Sequence, residues 1–341
     1  VDARQDNGSG SERLFKRVKT CELKMKINFR KVAIDYLGLI VALIVLIVVF
    51  SFLTRYFFSE TTFLTIANQI PSAVLIATGI TYILIIAEID LSVGSVLGFC
   101  GAVLGVGLVN FKLPPFVAIC LAIVAGLLCG FLNGIVSLKW RLPSFIVTLG
   151  MLEMARGGAH ALTGSQTQYL GDKLDFVAGT SVFGLSVPFI VALAIVGLSQ
   201  FVLSKTVFGR YIIAIGTNEE AVRLSGINPK PIKLAVFMLS GFLVSLAAII
   251  DTSRFNSANP NAGIGFELQA IAAAVIGGTS LMGGRGSVIS TFLGVLIIAV
   301  LNSGLAALGL RDEIKRLITG AVIITAVIVD YYRIRIKVNQ K

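Results

Sequence analysis

Long apolar runs separated by short polar connections dominate this chain. The first, Ile34 to Thr54, has the roughly 20 residues that a helix needs to cross hydrocarbon. Further runs at about 64–87, 92–110, 115–136, 144–163, 187–205, 233–251, 267–284, 287–309 and 314–332 bring the number to ten. The pattern predicts an all-α polytopic membrane protein of about ten transmembrane helices joined by short loops. One run stands apart. The eighth closes on AVIGGTSLMGG, too rich in glycine and hydroxyls for a rod facing lipid, and should be shielded by neighbours or partly broken. Glycines recur every fourth residue at Gly94 and Gly98, at Gly101 and Gly105, and at Gly126, Gly130 and Gly134. Small residues on one helical face let backbones approach closely in lipid, so a tight bundle is expected.

Composition narrows the classes further. Of 341 residues, 56% are hydrophobic, 35 are glycine and 14% are charged, where a soluble domain carries about 25% charged residues. Ten spans leave too little chain for an independent soluble domain. Collagen-like, disordered, disulfide-framework and nucleic-acid-binding classes fit poorly despite the net charge of +11. Cys21 lies in a basic tail and Cys100, Cys120 and Cys129 lie inside apolar runs. None has metal-ligand spacing, and the three in the runs read as small apolar residues.

Lysine and arginine set the orientation. With the N-terminus inside, 21 of the 29 fall on the cytoplasmic side, 7 outside, and Arg156 within a span. Both termini are therefore expected in the cytoplasm. Three parts follow: a basic tail, 1–32, a transmembrane domain, 33–333, and a C-terminal cytoplasmic tail, 334–341. In the first tail Leu14, Val18, Cys21, Met25 and Phe29 outline an amphipathic helix, which would lie on an anionic membrane surface or form part of a solvated basic tail. The first apolar run lacks a small-residue cleavage motif and reads as a span rather than a signal peptide.

The longest cytoplasmic connection, 206–232, has the grammar of a short helix. Thr217 can cap it, Glu220 three residues later completes a capping box, and Glu219 adds negative charge at the helix start. Gly226 supplies the stop and Pro229 prevents resumption. A helix of two turns is not stable alone in water and must pack against something. Ala221 and Leu224 would form its apolar face, with Arg223 and the two glutamates as a rim. That face either rests on the protein's own spans or docks into a separate cytoplasmic protein and transmits its motion.

Here the residues carry a resemblance. Gly209-Arg210, Ala214-x-Gly216-x-Asn218, Ala221 and Ser225-Gly226-Ile227 resemble the coupling loop of permease subunits of ATP-binding cassette importers, in particular the ribose/monosaccharide group and its branched-chain amino acid relatives. Three more stretches are similar to the same family: Glu88-Ile89-Asp90-Leu91-Ser92-Val93-Gly94-Ser95, Pro143-Ser144-Phe145-Ile146-Val147-Thr148-Leu149-Gly150 with Arg156-Gly157, and Gly277-Gly278-Thr279-Ser280 through Gly283-Gly284-Arg285-Gly286. Ala87-Glu88 departs from the paired glycines more usual there. The resemblance implies a permease-like bundle in the bacterial cytoplasmic (inner) membrane. It pairs with a second permease subunit, identical or related, binds ATPase subunits at the cytoplasm and receives solute from an extracytoplasmic substrate-binding protein. It further implies that Gly216, Thr217, Asn218, Glu219, Glu220, Ala221, Arg223, Leu224 and Gly226 couple to the ATPase. The solute would be a monosaccharide, ribose-like, with nucleosides or a furanose signal as alternatives.

The chain itself should be no enzyme and bind no cofactor or metal, ATP and Mg being used by partner subunits. It lacks a G-x-x-x-x-G-K-[ST] phosphate loop. Polar groups within the spans are the candidates for the translocation pathway, because such groups usually face protein or water. Glu153, Arg156 and His160 fall on one helical face, either lining an outer vestibule or forming an interfacial salt bridge. Asp90 and Ser92 sit where the chain re-enters the membrane and suit helix capping or solute contact. Asn133, Glu267, Gln269 and Asn302 suit interhelical hydrogen bonds or recognition. The external segment 164–186 is a candidate gate or binding-protein dock. A proton-coupled secondary transporter would use Glu88, Asp90, Glu153, Arg156 and His160 as a relay, but most of these lie near span ends, whereas coupled sites cluster at the midplane.

Overall fold

The computed structural model describes residues 29–328 apart from 180, 183, 312, 323, 326 and 327. The amphipathic stretch beginning at Leu14, with Cys21, and the tail 334–341 lie outside the described residues. Thirteen helices have defined bounds: α1 (Phe29–Leu53), α2 (Glu60–Gln69), α3 (Pro71–Ile85), α4 (Val93–Val109), α5 (Pro115–Trp140), α6 (Ser144–Thr163), α7 (Asp175–Ala178), α8 (Val187–Lys205), α9 (Val207–Thr217), α10 (Glu219–Leu224), α11 (Pro229–Arg254), α12 (Phe266–Ile276) and α13 (Val288–Ala307). Residues 313–322 are also helical. Four two-residue strands complete the fold: β1 (Gln168–Tyr169), β2 (Ser181–Val182), β3 (Leu185–Ser186) and β4 (Ser257–Ala258).

The chain is a helical, polytopic membrane protein. By length and apolarity α1, α5, α8, α11 and α13 can each cross a membrane, and the bent pair α2–α3 makes a sixth crossing if counted as one. The run expected at 64–87 thus folds as two helices meeting at 48°. Pro71 begins the second helix with its fixed φ and no N–H to donate, so the ladder changes direction at Ile70. The eighth run is broken as its glycines suggest. Helix α12 stops at Ile276, and Gly278, Gly283 and Gly284 adopt positive φ in the turns beyond. Helix α4 has 17 residues, because the stretch from Ala87 to Ser92 enters the bundle without helical pairing.

Helix α3 is the centre of the bundle. It is buried along nearly its whole length, and an element apolar on every side needs neighbours on every side. Helix α11 packs on α3, α4 and α5, and its seam with α5 runs along the predicted glycines. A Cβ on Gly126 would stand 2.5 Å from the Gly241 carbonyl oxygen and 2.7 Å from Ser245 Cβ, and one on Gly130 would run into the Phe237 carbonyl oxygen. The glycine face of α4 is covered instead by the irregular connection between α11 and α12. Gly98 is in close approach to the Ala262 carbonyl oxygen, Gly94 to Gly263 and Glu267, and Gly105 to Ala258. At the end of the bundle that carries this connection's start, β1 pairs antiparallel with β4, and β2 with β3.

Candidate functional site

The connection 206–232 contains two helices where the sequence suggested one. Thr206 caps α9, its hydroxyl accepting from the Gly209 amide at 3.2 Å, and Gly209, Ile212, Ile215 and Gly216 form the buried face of that helix. Thr217 is consequently the last residue of α9, its hydroxyl donating to the Ile213 carbonyl at 2.7 Å. The cap of α10 is Asn218, which is extended and accepts from the Ala221 amide at 2.9 Å. The capping box expected from Thr217 and Glu220 is therefore replaced by an asparagine cap one residue later, and Glu220 pairs with Arg223 at 2.6 Å. Gly226 takes positive φ as expected, while Pro229 opens α11 as well as closing off α10.

Helix α10 is rooted on one side only. Val222, not the expected pair Ala221 and Leu224, is its buried residue. Ala221 is exposed and Leu224 is 80% exposed. Glu219 donates no hydrogen but accepts from the Lys233 ammonium at 2.9 Å, and the same ammonium pairs with Glu88. Beside this triad lies a cavity of about 740 Å³ bordered by Glu88, Arg141, Glu219, Arg223, Lys230 and Lys233, which gathers charged residues from three connections and from α11 at one end of the bundle.

Gly216 sits at the joint between α9 and the core. A Cβ there would run into the Ile85 carbonyl oxygen and stand 2.6 Å from the Gly284 amide nitrogen, and that amide donates to the Ile85 carbonyl at 2.8 Å. The end of α3, the end of α9 and the glycine turn before α13 thus meet backbone to backbone. Ala87 holds a φ of 60° next to this joint.

The other candidates separate into three places. Asp90 is buried and accepts from the Ser92 amide at 2.9 Å and from the Ser92 hydroxyl at 2.6 Å. It is an Asx turn leading into α4 rather than the cap residue itself, since Ser92 holds the cap position. Asn133 donates to the Ser92 hydroxyl at 2.9 Å, and its own buried carbonyl oxygen has no partner. On α6, Arg156 donates to the carbonyls of Pro260 at 2.6 Å and Ala262 at 3.0 Å. It forms no ion pair with Glu153, which is exposed, and His160 meets Ser165 at 3.3 Å. Neither a continuous relay nor an interfacial Glu153–Arg156 bridge is assembled. Gln269 and Asn302 border a cavity of about 430 Å³ together with Thr65, Gln69, Phe266 and Ser303, and Asn302 also accepts from Thr319 at 3.2 Å.

Sequence reasoning missed Val222 as the anchor and Lys233 as the hub. A lysine one turn inside an apolar helix was the available signal, but its partners lie in other connections and no local spacing points to them.

The model of the branched-chain amino acid transport system permease component family matches residues 62–327. The chain belongs to this family. It is a transport permease, and its relatives resemble it almost end to end. The ribose import permease protein of Haemophilus influenzae is 41% identical over 297 residues, 86% of this chain and 92% of its own length. Its counterpart in Bacillus subtilis is 38% identical over 86% of this chain and 92% of its own. The fructose import permease protein of Rhizobium meliloti is 32% identical over 86% of this chain and 84% of its own. A multi-pass protein of the inner membrane is the common ground of family and fold.

Proposed function

We propose that this permease forms the translocation pathway of an ATP-driven importer for a monosaccharide, which an extracytoplasmic binding protein delivers and separate ATPase subunits drive. Ten spans with both termini cytoplasmic, and pairing with a second permease subunit, identical or related, belong to the same reading. The observation that carries it is α10. Its inner side is fixed by Val222 and Glu219 while Ala221, Glu220 and Leu224 stand in the open, and a short helix exposing an apolar residue suits a groove in a partner. ATP and Mg would be held by that partner. The monosaccharide is supported by relatives named for ribose, fructose and D-allose import. Asp90, Ser92, Asn133, Gln269 and Asn302 remain the residues offered for the solute's path, while Arg156 is taken up by loop carbonyls. That engagement also argues against a proton relay through α6.

The test is co-expression with the ATPase and binding protein, purification and reconstitution. The wild-type chain should retain the ATPase, and the double variant Glu220→Arg, Leu224→Arg should lose it while still inserting and migrating as a monodisperse protein. In liposomes the binding protein loaded with one sugar of a pentose and hexose panel, with a nucleoside as comparator, should stimulate hydrolysis. Accumulation of solute by the permease alone under a pH gradient would overturn the reading.

A further inference from the structure

Lys233 stands one turn into α11 with its side chain only 8% exposed, between two carboxylates that belong to different parts of the molecule. Glu88, 15% exposed, lies in the non-helical stretch that joins α3 to α4. Glu219, 48% exposed, is the first residue of α10. The two attachments differ in how easily they part. A buried ammonium needs a counter-charge, and Glu88 supplies one inside the bundle. Glu219 can leave the ammonium and remain well placed, because water reaches it and the free amides and dipole at the start of α10 favour a carboxylate there. Breaking the contact between Lys233 and Glu219 therefore leaves no bare charge on either side.

From Glu88 the connection continues inward. The Ile89 amide donates to the Ser144 hydroxyl at 3.0 Å and the Leu91 amide to the Thr148 hydroxyl at 3.1 Å. Asp90 holds Ser92, and Ser92 holds Asn133 of α5. Displacing α10 along the surface thus pulls on one ammonium whose other hand holds the segment that starts α4 and is pinned to α6 and α5. We infer that Lys233 is a positioning residue that links the movement of α10 to the stretch Glu88–Ser92, so that the Lys233–Glu219 contact makes and breaks during the transport cycle. This rests on the reading of α10 as the ATPase contact.

The experiment uses the reconstituted complex of permease, ATPase and sugar-loaded binding protein, and reads three quantities for Lys233→Met, Glu219→Gln and the conservative Lys233→Arg. These are retention of the ATPase, hydrolysis with and without binding protein, and sugar moved per ATP. The linkage predicts that K233M keeps the ATPase and its basal hydrolysis, and that in both K233M and E219Q sugar moved per ATP falls about tenfold, the size of a typical coupling between sites. K233R should recover most of that loss. Should K233M not fold, E219Q on the exposed helix still decides the matter. Unchanged sugar per ATP in E219Q, or transport and hydrolysis falling in parallel, would overturn the linkage. A wild-type chain that holds no ATPase at all would instead overturn the α10 reading beneath it, a result visible before any variant is made.

Discussion

Two helices of this permease carry acids and bases at helical spacing, and the fold puts them to opposite uses. On α6 the guanidinium of Arg156 turns inward and closes onto two loop carbonyls, leaving Glu153 exposed and unbridged. On α10 Glu220 and Arg223 pair at the surface, while Glu219 reaches back to the buried ammonium of Lys233 on α11. The difference follows from what lies opposite. A long irregular connection passes α6, and two of its partly buried carbonyls take their donor from Arg156. Nothing in the described residues covers the outer side of α10, so the Glu220–Arg223 pair stays exposed and contributes little to stability, about 0–1 kcal/mol. The first arrangement is structural and the second is available for an encounter.

Substitutions can break that contrast. The largest effect should come from the joint that supports α10. Gly216→Val would drive a side chain into the Ile85 carbonyl and the Gly284 amide, and such overpacking costs roughly 3 kcal/mol or more. Little folded protein should be recovered, as read by size-exclusion profile and thermal unfolding in detergent. Next, Arg156→Met removes the donor from two carbonyls, at about 1–3 kcal/mol for each group left unsatisfied, whereas Glu153→Gln should stay within about 0.5 kcal/mol of wild type. Equal losses in the two variants would mean that α6 uses its charges as a pair after all. The smallest effect concerns α10 itself. Asn218→Ala should cost about 1 kcal/mol as a lost cap and weaken ATPase retention through a looser helix. Thr217→Ala should leave the α10 cap intact, and the reverse order would restore the capping box expected from the sequence.

Much of the bundle could be read from apolar runs alone. The runs at 144–163 and 187–205 coincide with α6 and α8, and the broken eighth run was visible in its glycines. What the runs concealed were events inside them. The bend at Ile70 lies inside one predicted run, just after Asn68 and Gln69, and is marked by one proline. Helix α9 was hidden because half its face is buried and the other half is not, so it reads neither as a span nor as a loop. The site was legible as a region but not as a set of contacts. Thr217 and Asn218 are adjacent and both can cap, and only the extent of α9 decides between them. Arg156 is satisfied by backbone carbonyls, which have no sequence signature, and Lys233 finds partners in two separate connections.

The backbone joint at Gly216, Ile85 and Gly284 carries a mechanical consequence. Contacts between flexible side chains can yield by rotating, but three main chains touching directly have no such slack. A force that tilts α9 must drag the foot of the central helix and the threshold of α13 along with it, so these crossings are geared to travel as one unit.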